Sequence, residues 1–386
     1  MYFKLTTDQL DIKKAVREWA ENEFTKELAL ECDKKEEFPK ELHKKAAKLG
    51  FIGIHFPETY GGGGFGTLEN CLYVEEICRV DSGLGIAISL SDLASELILN
   101  NGSEKLKQKC IPRVANGESI SAVALTEPEH GSDITIMDTT AVKSGDEWEI
   151  NGCKTLISNV TIADFYFVLC QTDTEVSPNY RGQSLFLVDA DTDGLETMLF
   201  KDKLGCRASP TGEISFCNVR VPEENLIGEL NKGFYHTMNF FNQSRIEIAA
   251  QGVGIAQGAL ERAFEYAKER KTFGRSITEF QAVSHKLADM AIKIEAARLL
   301  AYKAAWLVDN GQPDPILSSM AKAHAGRVAV EVTDEAIQIF GGAGYIAENE
   351  VERFYRDAKI IELYEGTREI QKNTIVRFLL KRGIKN

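Results

Sequence analysis

No Cys-x-x-Cys pair, no His-x-x-x-His and no mixed Cys/His cluster occurs in the 386 residues. The eight cysteines and six histidines are scattered, so a structural zinc is not expected, and reduced thiols in a cytoplasmic protein are expected instead of disulfides. Basic charge is also scarce, with 45 Lys and Arg against 58 Asp and Glu and a net charge of −13. Such a chain has no general face for nucleic acid or an anionic membrane, and a phosphate-bearing ligand must meet local cations. A membrane-spanning run is lacking too. The most apolar stretch, Leu84 to Leu99, carries Asp92 and Glu96 and is too short and too polar to span a bilayer. The N-terminus, Met1 to Phe24, places Leu10, Ile12, Val16, Trp19 and Phe24 at helical spacing, which reads as an amphipathic helix and not a signal. What remains is ordinary globular material, 44% apolar and 27% charged, long enough for roughly two to three domains.

Three segments follow from the periodicity. From Asp8 to Asn116 the pattern is helical with short breaks, including Glu41 to Leu49, Leu68 to Arg79 and a nearly all-apolar, buried helix from Leu84 to Asn100. The glycine cluster Gly61 to Gly64 lacks a following Lys-Ser or Lys-Thr, so it reads as a flexible connection and not a phosphate loop. At Ser119 the period changes. Short apolar runs at Ser121 to Leu125, Ala141 to Lys143, Trp148 to Ile150, Thr155 to Ser158, Phe165 to Cys170, Ser184 to Val188, Glu213 to Cys217 and Val219 to Val221 predict antiparallel strands, with a turn at Asn151-Gly152. Helical spacing returns over Phe234 to Lys271, Ile277 to Asp309, Ile316 to Phe340 and Val351 to Leu380, the last broken at Gly366. The expected fold class is α+β: an N-terminal helical domain (1–118), a middle antiparallel β domain (119–230) and a C-terminal four-helix bundle (231–386).

Several stretches could carry chemistry. Thr126-Glu127-Pro128-Glu129-His130-Gly131-Ser132-Asp133 leaves a strand as a loop dense in hydroxyls and carboxylates, and Ser158-Asn159 ends a second strand nearby. Glu269 to Arg275 gathers cations and an aromatic at a helix end, and Gln338 to Gly344 is glycine-rich enough for a close backbone approach. Gly252-Val253-Gly254-Ile255-Ala256-Gln257-Gly258 has the wrong spacing for a dinucleotide fingerprint, so its glycines read as helix-packing positions. Near the C-terminus, Tyr364-Glu365-Gly366-Thr367 interrupts a helix with a breaker and a capping residue, so that Glu365 can project from a helix end.

Taken in order, these pieces resemble the acyl-CoA dehydrogenase family. The motifs are Leu125-Thr126-Glu127-Pro128-x-x-Gly131-Ser132-Asp133, Leu204-Gly205-x-Arg207-x-Ser209, Arg270-Lys271-Thr272-Phe273-Gly274, Gln281, Gln338-x-x-Gly341-Gly342, Arg356-Asp357-Ala358 and Tyr364-Glu365-Gly366-Thr367. The resemblance implies FAD between the β domain and the bundle. By that resemblance Leu125, Thr126 and Ser158 meet the flavin ring, Ser132 lies between flavin and substrate, and Thr367 and Glu369 sit near the adenine half. Arg270, Phe273, Gln281, Gln338 and Gly342 would reach the FAD of a neighbouring subunit in a homotetramer built as a dimer of dimers. Asn242 and Arg245 match the region receiving the adenosine end of CoA, and Tyr364 and Gly366 flank the substrate.

The implied reaction removes an α-proton with Glu365 as base while the β-hydride leaves to flavin, and electrons pass to an electron-transfer flavoprotein. Some family members carry the base immediately before the arginine matching Arg245; here that residue is Ser244, which favours Glu365. Leu156 stands where the family often has tryptophan, and His130 replaces a small residue. Asp92 falls on an apolar helix that lines the acyl pocket in the family, where a carboxylate is costly unless paired or protonated. It is either a structural partner of a nearby hydroxyl or cation, or a second carboxyl at the substrate. Because Ser82 to Ser103 contains neither Arg nor Lys, a glutaryl-type substrate is disfavoured and a short or compact acyl group is expected; the resemblance to family members acting on cyclohexane- or cyclohexene-carboxyl-CoA implies an alicyclic one such as cyclohexane-1-carboxyl-CoA. The alternatives are an enoyl-CoA reductase or acyl-CoA oxidase using the same site, and, more distantly, a non-catalytic helical interaction protein.

Overall fold

The computed structural model describes residues 4–383. Seven helices come first: α1 (Thr7–Glu23), α2 (Lys26–Lys35), α3 (Lys40–Lys48), α4 (Thr67–Val80), α5 (Ser82–Ser89), α6 (Glu96–Asn101) and α7 (Glu104–Ala115). The start of α1 is set locally, by a capping box in which Thr6 and Gln9 satisfy each other's backbone N–H groups. The single helix expected over Leu84 to Asn100 is instead two, α5 and α6. The chain bends at Leu90–Asp92 and resumes through a 3₁₀ turn, Leu93–Ser95. The bend has a physical cause: the Leu90 carbonyl accepts from the Asn159 amide at 2.8 Å and the Ser91 carbonyl from the Ser121 N–H at 3.1 Å, so the β domain captures groups a helix would need internally.

The strands are β1 (Ser121–Ala124), β2 (Thr140–Ser144), β3 (Glu147–Ser158), β4 (Phe165–Gln171), β5 (Gln183–Asp189), β6 (Leu195–Leu199), β7 (Thr211–Pro222) and β8 (Leu226–Ile227). They form one sheet in the order β6-β7-β3-β2-β4-β5-β8, with β1 on β4. Most pairs are antiparallel as expected, but β1 runs parallel to β4, so the sheet is mixed. The turn expected at Asn151-Gly152 is a bulge inside β3, where Gly152 takes a φ of 147° and the register against β7 shifts. β4 reads as apolar throughout because it serves two cores. Phe165, Phe167 and Leu169 enter the helical core, while Tyr166, Val168 and Cys170 enter the core of the sheet's other face.

The bundle comprises α8 (Gly233–Glu269), α9 (Gln281–Asp309), α10 (Pro315–Phe340), α11 (Val351–Ala358) and α12 (Arg368–Arg382), with the short hairpin β9 (Lys271–Thr272) and β10 (Arg275–Ser276) after α8. The helices α8, α9 and α10 pack on one another, α12 packs on α10, and α4 also lies along α8. Side chains at Gly254 and Gly258 would strike the carbonyls of Glu75 and Arg79 on α4, so these glycines do serve close helix packing. The interruption after α11 is longer than a break at Gly366 alone, running through a 3₁₀ turn at Lys359–Glu362 to Thr367. Buried ion pairs and hydrogen bonds lock the three regions around it. Asp357 accepts from the Ser82 hydroxyl at 2.7 Å and the Cys206 N–H at 2.5 Å, Arg353 meets Asp81 at 2.7 Å, and Arg356 meets Asp33 at 2.9 Å.

Candidate active site

Glu365 and Gly366 are consecutive left-handed residues, with φ of 53° and 92°. For glutamate this conformation is disfavoured, and it persists only where the surroundings hold it. Here three helices do so. Gln371 on α12 donates to the carbonyls of Glu365 at 3.0 Å and Gly366 at 2.9 Å; Arg245 on α8 donates to the Glu365 carbonyl at 3.3 Å; and Lys322 on α10 donates to the Gly366 carbonyl at 2.6 Å. Thr367 then caps α12, accepting from the Ile370 N–H at 3.3 Å. Tyr364 is fixed on the other side. Its hydroxyl bonds the Gln251 side chain, which donates in turn to Ser89 at 2.9 Å.

With its backbone held, the Glu365 carboxylate accepts one hydrogen bond from a side chain, the Ser244 hydroxyl at 2.6 Å. Desolvation raises its pKa above the usual carboxylate range, against the pull of Ser244, Arg245 and Lys322. Lys322 shows the converse. Burial lowers its ammonium to about 7, although Glu365 opposes the shift. Arg245, also buried, is lowered to about 10 by desolvation and stacks its guanidinium over the Phe241 ring at 5.1 Å. The structure therefore places Arg245 beside Glu365, with half-buried Asn242 near it on α8. A carboxylate of raised pKa next to two cations on rigid helices is equipped to take a proton from a weak carbon acid.

The β domain contributes a second edge. Glu127 is buried and saturated: it accepts from Lys154 at 2.8 Å, Thr139 N–H at 2.9 Å and Asp138 N–H at 2.6 Å, while Lys154 also donates to the Leu125 carbonyl at 3.0 Å. That network fixes the backbone at Leu125 and Thr126, and Thr155 N–H donates to the Thr126 carbonyl at 2.8 Å. Between Lys154 and Ile157 the pairing of β3 to β7 slips, and Leu156, at φ 57°, turns outward and is 63% exposed. The hydroxyls of Thr126 and Ser158 engage no side chain or backbone group among the described residues, and Ser132 lies exposed on the loop beyond. An uncovered apolar side chain beside open hydroxyls and a fixed backbone fits a flat ring that is apolar at one end and polar at the other, as the isoalloxazine of FAD is.

Other expected residues stand apart from Glu365. Phe273 is 92% exposed at the β9–β10 hairpin, and Arg270 and Gln281 are exposed beside it. Gln338 and Gly342 are exposed at the end of α10, where a side chain at Gly341 or Gly342 would meet only open space. Glu369 is exposed on the first turn of α12. Asp92 is buried in the bend between α5 and α6, where its carboxylate accepts the Gly53 N–H at 2.6 Å. Desolvation lifts its pKa to about 6, against the Gly53 hydrogen bond and the nearby His55. The chain reading missed Lys322, Gln371 and Gln251. Lys322 leaves a trace, being a lone cation on a small-residue face with Ser318, Ala325 and Ala329, whereas Gln371 and Gln251 leave none that composition distinguishes from solvated glutamines.

The chain has relatives among known proteins along nearly its whole length. The chain matches the acyl-CoA dehydrogenase N-terminal domain over residues 6–118, the middle domain over 122–219 and the C-terminal domain over 231–380. It is 44% identical to the acyl-CoA dehydrogenase, short-chain specific, of Clostridium acetobutylicum, across 97% of this chain and 98% of that one. It is 41% identical to the caffeyl-CoA reductase-Etf complex subunit CarC of Acetobacterium woodii, across 96% and 98%. The solved butyryl-CoA dehydrogenase of Megasphaera elsdenii superposes with a TM-score of 0.94 at 39% identity, covering 98% of this chain and all of that one (100%).

Proposed function

The chain belongs to the acyl-CoA dehydrogenase family, an FAD-dependent oxidoreductase family, and on that premise we propose that it removes the α-proton of an acyl-CoA thioester with Glu365. The observation that carries this role is the contact of Ser244 with Glu365 at 2.6 Å, on a carboxylate whose backbone three helices hold in a disfavoured conformation. Such a carboxylate is aimed before substrate arrives, and its raised pKa brings it closer to a thioester α-carbon acid. The Glu365 N–H, which takes no partner among the described residues, is free to donate to the thioester oxygen as negative charge develops there. Bound FAD supplies the acceptor for the β-hydrogen and its electron pair. Leu125, Thr126, Ser158 and Leu156 would hold the ring, Ser132 would sit over it, and Thr367 and Glu369 would meet the adenine half.

For the acyl group we propose a compact chain, and the alicyclic expectation stays within it; the relatives named for short-chain and butyryl-CoA substrates support the small size. The reverse reaction, reduction of an enoyl-CoA, is the second reading, favoured by the relative named as a reductase subunit. That relative's Etf complex also supports an electron-transfer flavoprotein as redox partner. For the assembly we propose a homotetramer. Ile292, Leu299 and Trp306 are exposed at seven-residue intervals on α9, an apolar stripe suited to a second copy, and exposed Arg270, Phe273 and Gln281 are available to a neighbour's cofactor.

The test is Glu365→Gln. The variant should bind FAD and stay yellow, yet lose flavin bleaching by acyl-CoA by a factor of about 10² to 10⁴. Undiminished bleaching would sink the assignment.

A further inference from the structure

One polar cavity is left over by this mechanism. It is lined by His55, Asn70, Glu96, Gln243, Ser244 and Glu247, with Leu93 and Cys71 beside them, and at about 10 Å³ it has room for one oxygen-sized group. Its wall includes Ser244, whose hydroxyl holds the Glu365 carboxylate. Glu247 follows three residues later on α8, about 4.5 Å along the helix axis. A substrate with its α-carbon at Glu365 needs only a few more carbons to bring its far end there.

The cavity is not self-satisfied. Glu247 takes the Asn70 amide on Oε2 at 3.0 Å, but its Oε1 has no partner. His55 bonds Glu96 through Nε2, and its Nδ1 has none. Both side chains are more than nine-tenths buried, at 6% and 7% exposure. Two unpartnered polar atoms on the wall of one small cavity call for an occupant that hydrogen-bonds.

Charge decides its class. Glu96 and Asp92 both face His55, and their pull outweighs the effect of its burial, lifting the imidazole to about 9 and keeping it a cation. That cation is already matched by Glu96, and two more carboxyl groups crowd the site, Glu247 on the wall and Asp92 behind it, each pushed up by burial, so an acyl chain ending in another carboxylate is disfavoured. A methyl group pushed into the cavity would displace water and leave both polar atoms unpaired. An uncharged hydroxyl satisfies them.

We propose that this cavity is a specificity subsite for a hydroxyl at the far end of the acyl group, filled by water when the chain ends in plain alkyl. This rests on the dehydrogenase reading above. Holoenzyme is mixed anaerobically with pairs of acyl-CoAs of matched length, one ending in methyl and the other in hydroxyl, while flavin absorbance is followed. At one chain length the hydroxyl member should show kcat/KM about tenfold or more above its methyl partner, and Glu247→Leu should erase that ratio while still reducing flavin with the methyl member. The wild-type ratio stands as a test even where the variant does not fold. Equal or better turnover of the methyl member at every length overturns the subsite and leaves the cavity to water alone. Bleaching by no member of any pair would overturn the dehydrogenase reading itself, and the subsite with it.

Discussion

The Ser244 hydroxyl donates to Glu365 Oε2 at 2.6 Å, joining two residues 121 positions apart in one hydrogen bond. Ser244 sits on α8, immediately before Arg245, which holds the Glu365 carbonyl. One turn of one helix thus fixes both ends of Glu365, its backbone and its carboxylate. A hydrogen bond to the ionised form favours it, so Ser244 opposes the upward shift that burial imposes on Glu365.

Removal of that donor gives the first prediction. Ser244→Ala should raise the pKa of the base, moving the acid limb of the pH profile for flavin reduction to higher pH. At mildly acidic pH the rate should fall about tenfold, the worth of a hydrogen bond to a charged group, and recover as pH rises. A uniform loss at all pH values would mean that Ser244 only shapes the pocket.

Lys322 offers a separation of activity from stability. Its buried ammonium makes one hydrogen bond, to a Gly366 carbonyl that Gln371 also serves, so Lys322→Met strands no acceptor. Thermal stability should hold within about 1 kcal/mol or improve, since a buried charge is exchanged for apolar bulk. Loss of a cation facing Glu365 should again shift the base upward and slow flavin reduction near neutral pH, with Arg245 the remaining cation beside Glu365, and Glu362 and Glu369 acting on Lys322 more weakly. Melting curves and stopped-flow profiles of the same preparation check both halves.

His43 predicts an acid sensitivity away from the site. Burial depresses its pKa from 6.5 to about 4, and its Nε2 has no partner among the described residues. A histidine whose folded pKa is depressed contributes stability that is present above about pH 6.5 and lost as pH falls towards 4, because the unfolded chain takes up the proton first. The full contribution is about 3 kcal/mol. His43→Phe, packing against Phe38 where the two rings now lie 5.7 Å apart, should flatten the fall in Tm across that window.

The stripe on α9 makes the assembly testable. Trp306→Glu, which puts a carboxylate into that apolar stripe, should lower the mass seen by analytical ultracentrifugation. If Phe273 and its neighbours reach a second subunit's cofactor, FAD should be lost in step with the mass. Retained FAD in a dissociated protein would separate the two ideas.

The sequence by itself determined the order helix, sheet, helix, because period 3.6 and period 2 are local properties that side-chain burial imposes on each segment. It also determined the family and the candidate base, since Tyr364-Glu365-Gly366-Thr367 carries its breaker and its cap within four residues. Only the tertiary structure decided what surrounds that base. Lys322, Gln371 and Ser244 meet Glu365 and Gly366 from three different helices, and no periodicity in one helix can announce a partner on another. The bend at Asp92 has the same origin. Its residues read as a continuous apolar helix, but β-domain groups at Ser121 and Asn159 take the carbonyls of Ser91 and Leu90, and that competition exists only once the domains have packed.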